Sequence, residues 1–235
     1  MSKHYISILD DKNSGRWDEY VMRCSEATFF HRAGWRTVIE QAFGHRAYFL
    51  FSEEDKNITG ILPLGHIKSM LFGNALISVP FCVYGGVCSD SVETAQKLHQ
   101  AAEDLAESLG VDYLELRYQK NALPDWVSKD LYVTFRKSID PDPNQNLMAI
   151  PRKQRAMVRK GMKAGLHSEI DGDISRFFSA YSESVRNLGT PVFPKRYFRI
   201  LVDTFGEDCE ILTVTSDRND SSIGELLRST ARYKV

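Results

Sequence analysis

Short apolar runs alternate with amphipathic stretches along the whole chain. Residues 5–9 and 47–52 read as strands, and two helical periodicities, near 16–24 and 31–43, lie between them, with Gly44 as a stop signal. Two further apolar runs, at 58–67 and 75–81, are expected to be strands. From about 91 to 109 the residues Val92, Ala95, Leu98, Ala102, Leu105 and Leu109 fall on one helical stripe, and Gly110 ends it. Asp90 and Glu93 have the spacing of a capping box at its start. A strand at 112–118 then puts Leu114 and Leu116 on one face and Tyr113, Glu115 and Arg117 on the other.

A Pro-rich break at 138–146 interrupts this order. A basic helix is expected from Pro151, whose missing N–H suits the first helical position. Next come a strand at 166–170 and a helix at 174–188 with the face Phe177, Phe178, Tyr181, Val185 and Leu188. A helix between Pro194 and Gly206 and a strand at 209–215 complete a second strand, helix, helix, strand series. Shifting residues 35–52 by 162 positions lays Trp35 on Tyr197, Ile39 on Leu201, Phe43-Gly44 on Phe205-Gly206 and Leu50 on Leu212. Both series then reach a polar turn, at 52–55 and 216–219. Two copies of one unit account for this register; chance agreement of two amphipathic helices is the competing reading. The fold class is therefore α/β, mixed α+β, with a first domain at 1–146 and a linking helix at 147–165. A second domain begins over 166–217, and 218–235 is a tail foreign to the pattern.

Composition narrows the classes. The 235 residues are 43% hydrophobic and 26% charged, enough to bury a core. Thirty basic residues stand against 31 acidic ones, so no global field favours DNA or a membrane, and any anion site must be local. The N-terminus lacks a signal-peptide run, and the most apolar stretch, 75–87, is too short to span a bilayer, so a cytoplasmic location is expected. Cys24, Cys82, Cys88 and Cys209 form no CxxC pair, which leads us to expect neither a disulfide nor a metal site. There is no GxSxG, HExxH, P-loop or GxGxxG motif. Cys82 or Cys88 with His66 would make a thiol and base, yet Cys82 sits in an apolar run and reads as a small core residue. No catalytic residue stands out.

The strongest local feature is the basic helix, with six Lys/Arg and no acid between 152 and 163. Arg152, Arg155, Arg159 and Lys163 follow steps of 3, 4 and 4 and share a face, with Lys153 and Lys160 at its edge. Such a stripe suits phosphate, pyrophosphate or an RNA backbone; the alternative is a solvated face balanced by acids elsewhere in the fold. Tyr84, Gly85 and Gly86 follow an apolar strand, where free N–H groups would receive an anion and where a plain tight turn is the other reading. Glu115 beside Arg117 suits either a peptide substrate or a surface ion pair. Lys195 leaves the stiff Thr190–Pro194 segment at a helix start, a position that the helix dipole does not favour for a cation.

Several segments together resemble a known family. ATFFHRAGW (27–35), LPLGHIKSMLFG (62–73), PFCVYGG (80–86), LELR (114–117), IPRKQRAMVRKG (150–161) and GTPVFPKRYF (189–198) are similar to the FemAB-like proteins of PEP-CTERM/exosortase systems, within the GNAT-type acyltransferase superfamily. The resemblance spans about residues 1–217 and implies tandem GNAT-like domains, the second incomplete. It implies acyl or aminoacyl transfer to a cell-wall or exopolysaccharide precursor that is nucleotide- or lipid-linked. Aminoacyl-tRNA or acyl-CoA would be the co-substrate, with no bound cofactor. The GNAT pyrophosphate loop, Q/R-x-x-G-x-G/A, has no match at 84–86. The early end of the second copy, with a shifted reading frame as one origin, leads us to expect little transfer by this chain alone. A non-catalytic scaffold of the envelope-polysaccharide machinery and an RNA-binding module are the alternatives.

Overall fold

The computed structural model describes residues 5–69, 73–119, 123–129, 133–216 and 219–229, with the backbone alone from 216 onward. In chain order the first elements are β1 (Tyr5–Ile8), α1 (Ser14–Arg23), α2 (Gly34–Phe43), β2 (Arg46–Glu54) and β3 (Asn57–Ser69). They continue with β4 (Gly73–Ser78), β5 (Cys88–Ser89), α3 (Val92–Leu109) and β6 (Tyr113–Glu115). After these come α4 (Pro143–Met148), α5 (Arg152–Met162), β7 (Leu166–Ile170), α6 (Ser175–Asn187), α7 (Lys195–Phe205), β8 (Cys209–Ser216) and β9 (Asn219–Ser229). The mixed α/β class expected from the sequence is the one observed.

Contacts divide the chain into two compact units. The first contains the described residues within Met1–Ala122, Pro194–Cys209 and Ser229–Val235; the second contains those within Leu123–Phe193 and Glu210–Arg228. In the first unit the strands run in the order β1-β2-β3-β4-β6, antiparallel except for the parallel β4–β6 pair, and β5 pairs with β3. Pro63 lies inside β3, a costly place for a residue with no N–H. It sits between the β3 residues paired to β5 (Gly60, Ile61) and those paired to β4 (from Leu64), where neither neighbour asks for a donor.

One face of this sheet is covered by α3, whose Leu98 and Ala102 close on Leu50, Leu62, Leu64 and Leu76. Leu114 and Leu116 pack against the same cluster, as their alternation predicts. Trp17, Tyr20 and Val21 of α1, at i, i+3 and i+4, and Trp35, Val38, Ile39 and Ala42 of α2 are buried, and Trp17 stacks on Phe49 at 5.4 Å. Gly44 and Gly110 end α2 and α3 in the left-handed region, as expected. The cap of α3 is shifted by one residue from the sequence reading. Ser91 Oγ, not Asp90, accepts from Thr94 N at 3.1 Å, because Asp90 is held by Tyr20 Oη at 3.0 Å and by Arg23.

The second unit carries a three-stranded sheet, β7-β8-β9, with β7 antiparallel to β8. In chain order the later elements follow the earlier series: β7, α6, α7, β8, β9 against β1, α1, α2, β2, β3, with β8 taking the central place of β2. Residues 219–229 continue as a strand beside β8, one element more than the sequence reading gave the second copy. Position 217, and 218 and 230–235 of the expected tail, lie outside the described residues. Another departure is α4, a single short helix inside the Pro-rich break, opened by the Asp142 carboxylate accepting from Asn144 N at 2.9 Å. Pro151 also stands one place earlier than expected, as the extended residue before α5.

By its contacts α7 belongs to the first unit. Phe205 meets Phe29 at 4.6 Å and Trp35 at 5.4 Å, while Tyr197 meets Phe43 at 5.1 Å. Gly34 lets the Phe205 ring approach: a Cβ at this position would lie 2.7 Å from it. Arg32 adds ion pairs to Asp18 and Asp208, each at 3.0 Å.

Candidate functional site

The basic stripe forms as the spacing requires. Arg152, Arg155, Ala156, Arg159, Lys160, Lys163 and Ala164 line one wide, open depression of about 690 Å³. Lys153 is exposed but is not part of that lining. Among the described residues Arg152, Arg159, Lys160 and Lys163 have no carboxylate partner, so the balancing acids of the alternative reading are absent there. Arg159, Lys160 and Lys163 stand in the last turn and at the end of α5, where the helix dipole favours cations; Arg152 stands at the opposite, unfavourable end.

Arg155 is different. Its guanidinium donates to Ile150 O at 2.9 and 3.2 Å and to Met148 O at 2.9 Å, tying α5 back to the end of α4. These carbonyls occupy the head that the sequence reading offered to a ligand. Arg155 therefore shapes the depression, and the free cations line it.

The structure closes the Tyr84-Gly85-Gly86 loop to an anion. The N–H groups of Gly85 and Gly86 both donate to Arg117 O, at 3.0 Å each, so neither points at a ligand. Arg117 itself locks the loop: its N–H donates to Ser78 Oγ at 2.8 Å, its Nη1 to Cys82 O at 2.6 Å and its Nε to Glu115 at 2.7 Å. Pairing between β4 and β6 ends at Ile77 and Glu115, and this clamp draws residues 79–86 across the opening beyond it. The acid and cation that the sequence left as either a substrate contact or an ion pair thus pair with each other and hold a loop. Lys195 is exposed at the first turn of α7, as expected from the sequence, and Tyr84 is half-buried with its ring 6.4 Å from Phe30.

Gly86 is required by packing. A Cβ there would lie 2.4 Å from the Tyr118 ring, whose hydroxyl accepts from Val87 N at 3.1 Å and lies 2.5 Å from His99 Nε2. Gly86→Ala is expected to lower unfolding stability by about 1–3 kcal/mol through overpacking, measured by urea denaturation. An unchanged midpoint would show that Tyr118 moves aside freely.

Two groups escaped the sequence reading. His31 is 2% exposed; its Nδ1 accepts from Thr28 N at 3.0 Å, which puts the proton on Nε2, where it is donated to Gly86 O at 3.0 Å. Burial pushes its pKa down to about 4. Its signal in the sequence was a Thr three residues earlier, the spacing of the cap that the two residues form. Cys24 is half-buried at the end of α1, and the Cys88 thiol donating to it brings its pKa down to about 6. Burial of Cys82 pushes its thiol up, in keeping with a core residue. All four cysteines are free thiols, and no group of three or more potential metal ligands occurs among the described residues. No described helix is long and apolar enough to cross a membrane.

No family model matches the chain, and no curated protein matches it by sequence. Solved structures do. FemX superimposes with a TM-score of 0.64 at 16% identity, covering 91% of this chain and 58% of FemX. The chain thus spans well under two thirds of the length of FemX. Smaller overlaps, each covering 59% of this chain at a TM-score of 0.39, occur with a GNAT family acetyltransferase from Staphylococcus aureus (10% identity, 100% of that chain) and with an aminoglycoside N-acetyltransferase in complex with CoA (12% identity, 97% of that chain). The superposition shows that this chain is built on the fold of FemX.

Proposed function

We propose that the chain is a FemAB-like acyl or aminoacyl transferase homologue that binds an anionic, nucleotide- or lipid-linked cell-envelope precursor along α5. The motifs at 27–35, 62–73, 80–86, 114–117, 150–161 and 189–198 add the PEP-CTERM/exosortase association and an exopolysaccharide or wall setting. The observation that carries the reading is the row of unpaired cations in an open depression. Four like charges on one helix repel each other unless an anion sits among them. Arg152 and Lys163 are eleven residues apart, about 16 Å along the axis, so a diphosphate covers only part of the row. It belongs at the Arg159, Lys160 and Lys163 end, where three of the four unpaired cations stand within about one turn and together outweigh the helix dipole, which by itself disfavours an anion there. In such a reaction the acceptor amine attacks the carbonyl of an activated ester or thioester, and the alcohol or thiol of the donor leaves. Holding both partners in register supplies the rate. The closed loop over residues 79–86 supports acceptor binding rather than donor binding in the first unit, with aminoacyl-tRNA or acyl-CoA as the donor.

Calorimetric titration of a nucleotide-linked wall precursor tests this. Arg159→Gln with Lys163→Gln is expected to weaken binding at least tenfold, since a charge-assisted hydrogen bond contributes about 1.5–3 kcal/mol. Arg152→Gln is expected to do less. Equal dissociation constants for the wild type and the double variant would remove the assignment. The same precursor supplied with aminoacyl-tRNA or acyl-CoA separates a transferase, which turns over, from a scaffold, which only binds.

A further inference from the structure

The edge of the second sheet carries a self-complementary sequence. β7 reads Leu166-His167-Ser168-Glu169-Ile170, and all five residues are exposed, the two apolar ones at 40% and 60%. Only its β8 side is paired among the described residues: Leu166 faces Ser216, Ser168 faces Val214 and Ile170 faces Leu212. An open edge offers a row of backbone donors and acceptors to another strand. Which strand fits can be read from the pattern. In an antiparallel pair about a twofold axis through Ser168, each residue meets the one equally far on the other side. Leu166 then faces Ile170 of the other copy, and His167 faces its Glu169. The two apolar pairs share one face with the Ser168 pair, and the two His–Glu pairs share the other. A parallel in-register pair would instead set Glu169 on Glu169 and His167 on His167, which cross-strand energetics disfavour.

We infer that β7 is a homodimerisation edge, through which a second copy of this chain adds antiparallel about Ser168 to form one continuous sheet. The contact is isologous and closes on itself, so it stops at two copies. Glu169 already receives Arg176 at 2.6 Å, which holds its carboxylate at the side of the strand and limits the energy of the His–Glu pairs. Backbone pairing and the two Leu–Ile contacts therefore dominate. Another edge strand, β1, has exposed Tyr5 and Ile8, but Tyr5-Ile6-Ser7-Ile8 carries no charged pair to choose a register.

Sedimentation velocity on the full chain, run across the micromolar range, tests the inference, and cysteine cross-linking reads the register. A monomer–dimer equilibrium is expected, with Ile170→Lys raising the dissociation constant at least tenfold and Ile8→Lys leaving it unchanged. Under mild oxidation Ser168→Cys is expected to form a covalent dimer faster than Gln154→Cys on the exposed face of α5. His167→Cys and Glu169→Cys are expected to cross-link when mixed and not alone. Monomer alone at every concentration would overturn the proposal. So would a dimer that survives Ile170→Lys, or one in which Ser168→Cys links no faster than Gln154→Cys.

Discussion

Lowering the pH from 7 to 4 is expected to remove about 3 kcal/mol of stability through His31 alone. The imidazole is enclosed between the Thr28 turn and the Gly86 carbonyl, and burial lowers its pKa from the usual 6.5 to about 4. The unfolded chain therefore binds a proton in a range where the folded chain does not. Stability is complete above pH 6.5 and falls as the pH drops toward 4. Protonation would also turn Nδ1 from an acceptor into a donor facing the Thr28 N–H. His45 and His99, both pushed down chiefly by burial, add to the slope in the same direction. Urea unfolding of the wild type and His31→Gln at pH 7, 5.5 and 4.5 separates the contributions. The variant is expected to be less stable at pH 7 and to lose much less on acidification. Equal losses in both proteins would place the acid sensitivity elsewhere.

The stripe on α5 was legible because like charges at helical spacing share a face whatever the helix touches. That Arg155 turns back to Met148 O and Ile150 O was not legible, since it depends on α4, a helix hidden in a segment that reads as a break. The Gly85-Gly86 pair announced a tight turn but could not say that Arg117 O, some thirty residues later, would take both N–H groups. His31 stayed hidden for the same reason: its second partner, Gly86 O, is distant in sequence. Local periodicity shows which face is apolar or charged. The partner that covers the face is a tertiary fact.

The same distinction governs the largest expected packing effect. Phe205→Ala is expected to destabilise the protein by about 3–5 kcal/mol, the range for truncating a core phenylalanine, whereas Phe43→Ala should cost about 1–2 kcal/mol. The register shift of 162 makes these two residues equivalent, and sequence alone assigns them equal weight. Their surroundings differ. Phe205 is 7% exposed and inserted among Phe29, Trp35 and Gly34. Phe43 is half-buried, stacked on the exposed Phe81 at 4.1 Å and tilted against Tyr197 at 5.1 Å. With Trp35 equivalent to Tyr197, the two contacts between α2 and α7 exchange partners: the early residue of each helix meets the late residue of the other. That crossed pattern is the arrangement of an isologous interface, which the expected repeat would make within one chain. Equivalent register alone would give equal losses on truncation, so the difference between the variants measures how far packing separates the two sites. Paired urea denaturation of both variants decides it. Equal losses would mean that the Phe205 site relaxes as freely as the half-exposed Phe43 site, contrary to the packing around Gly34.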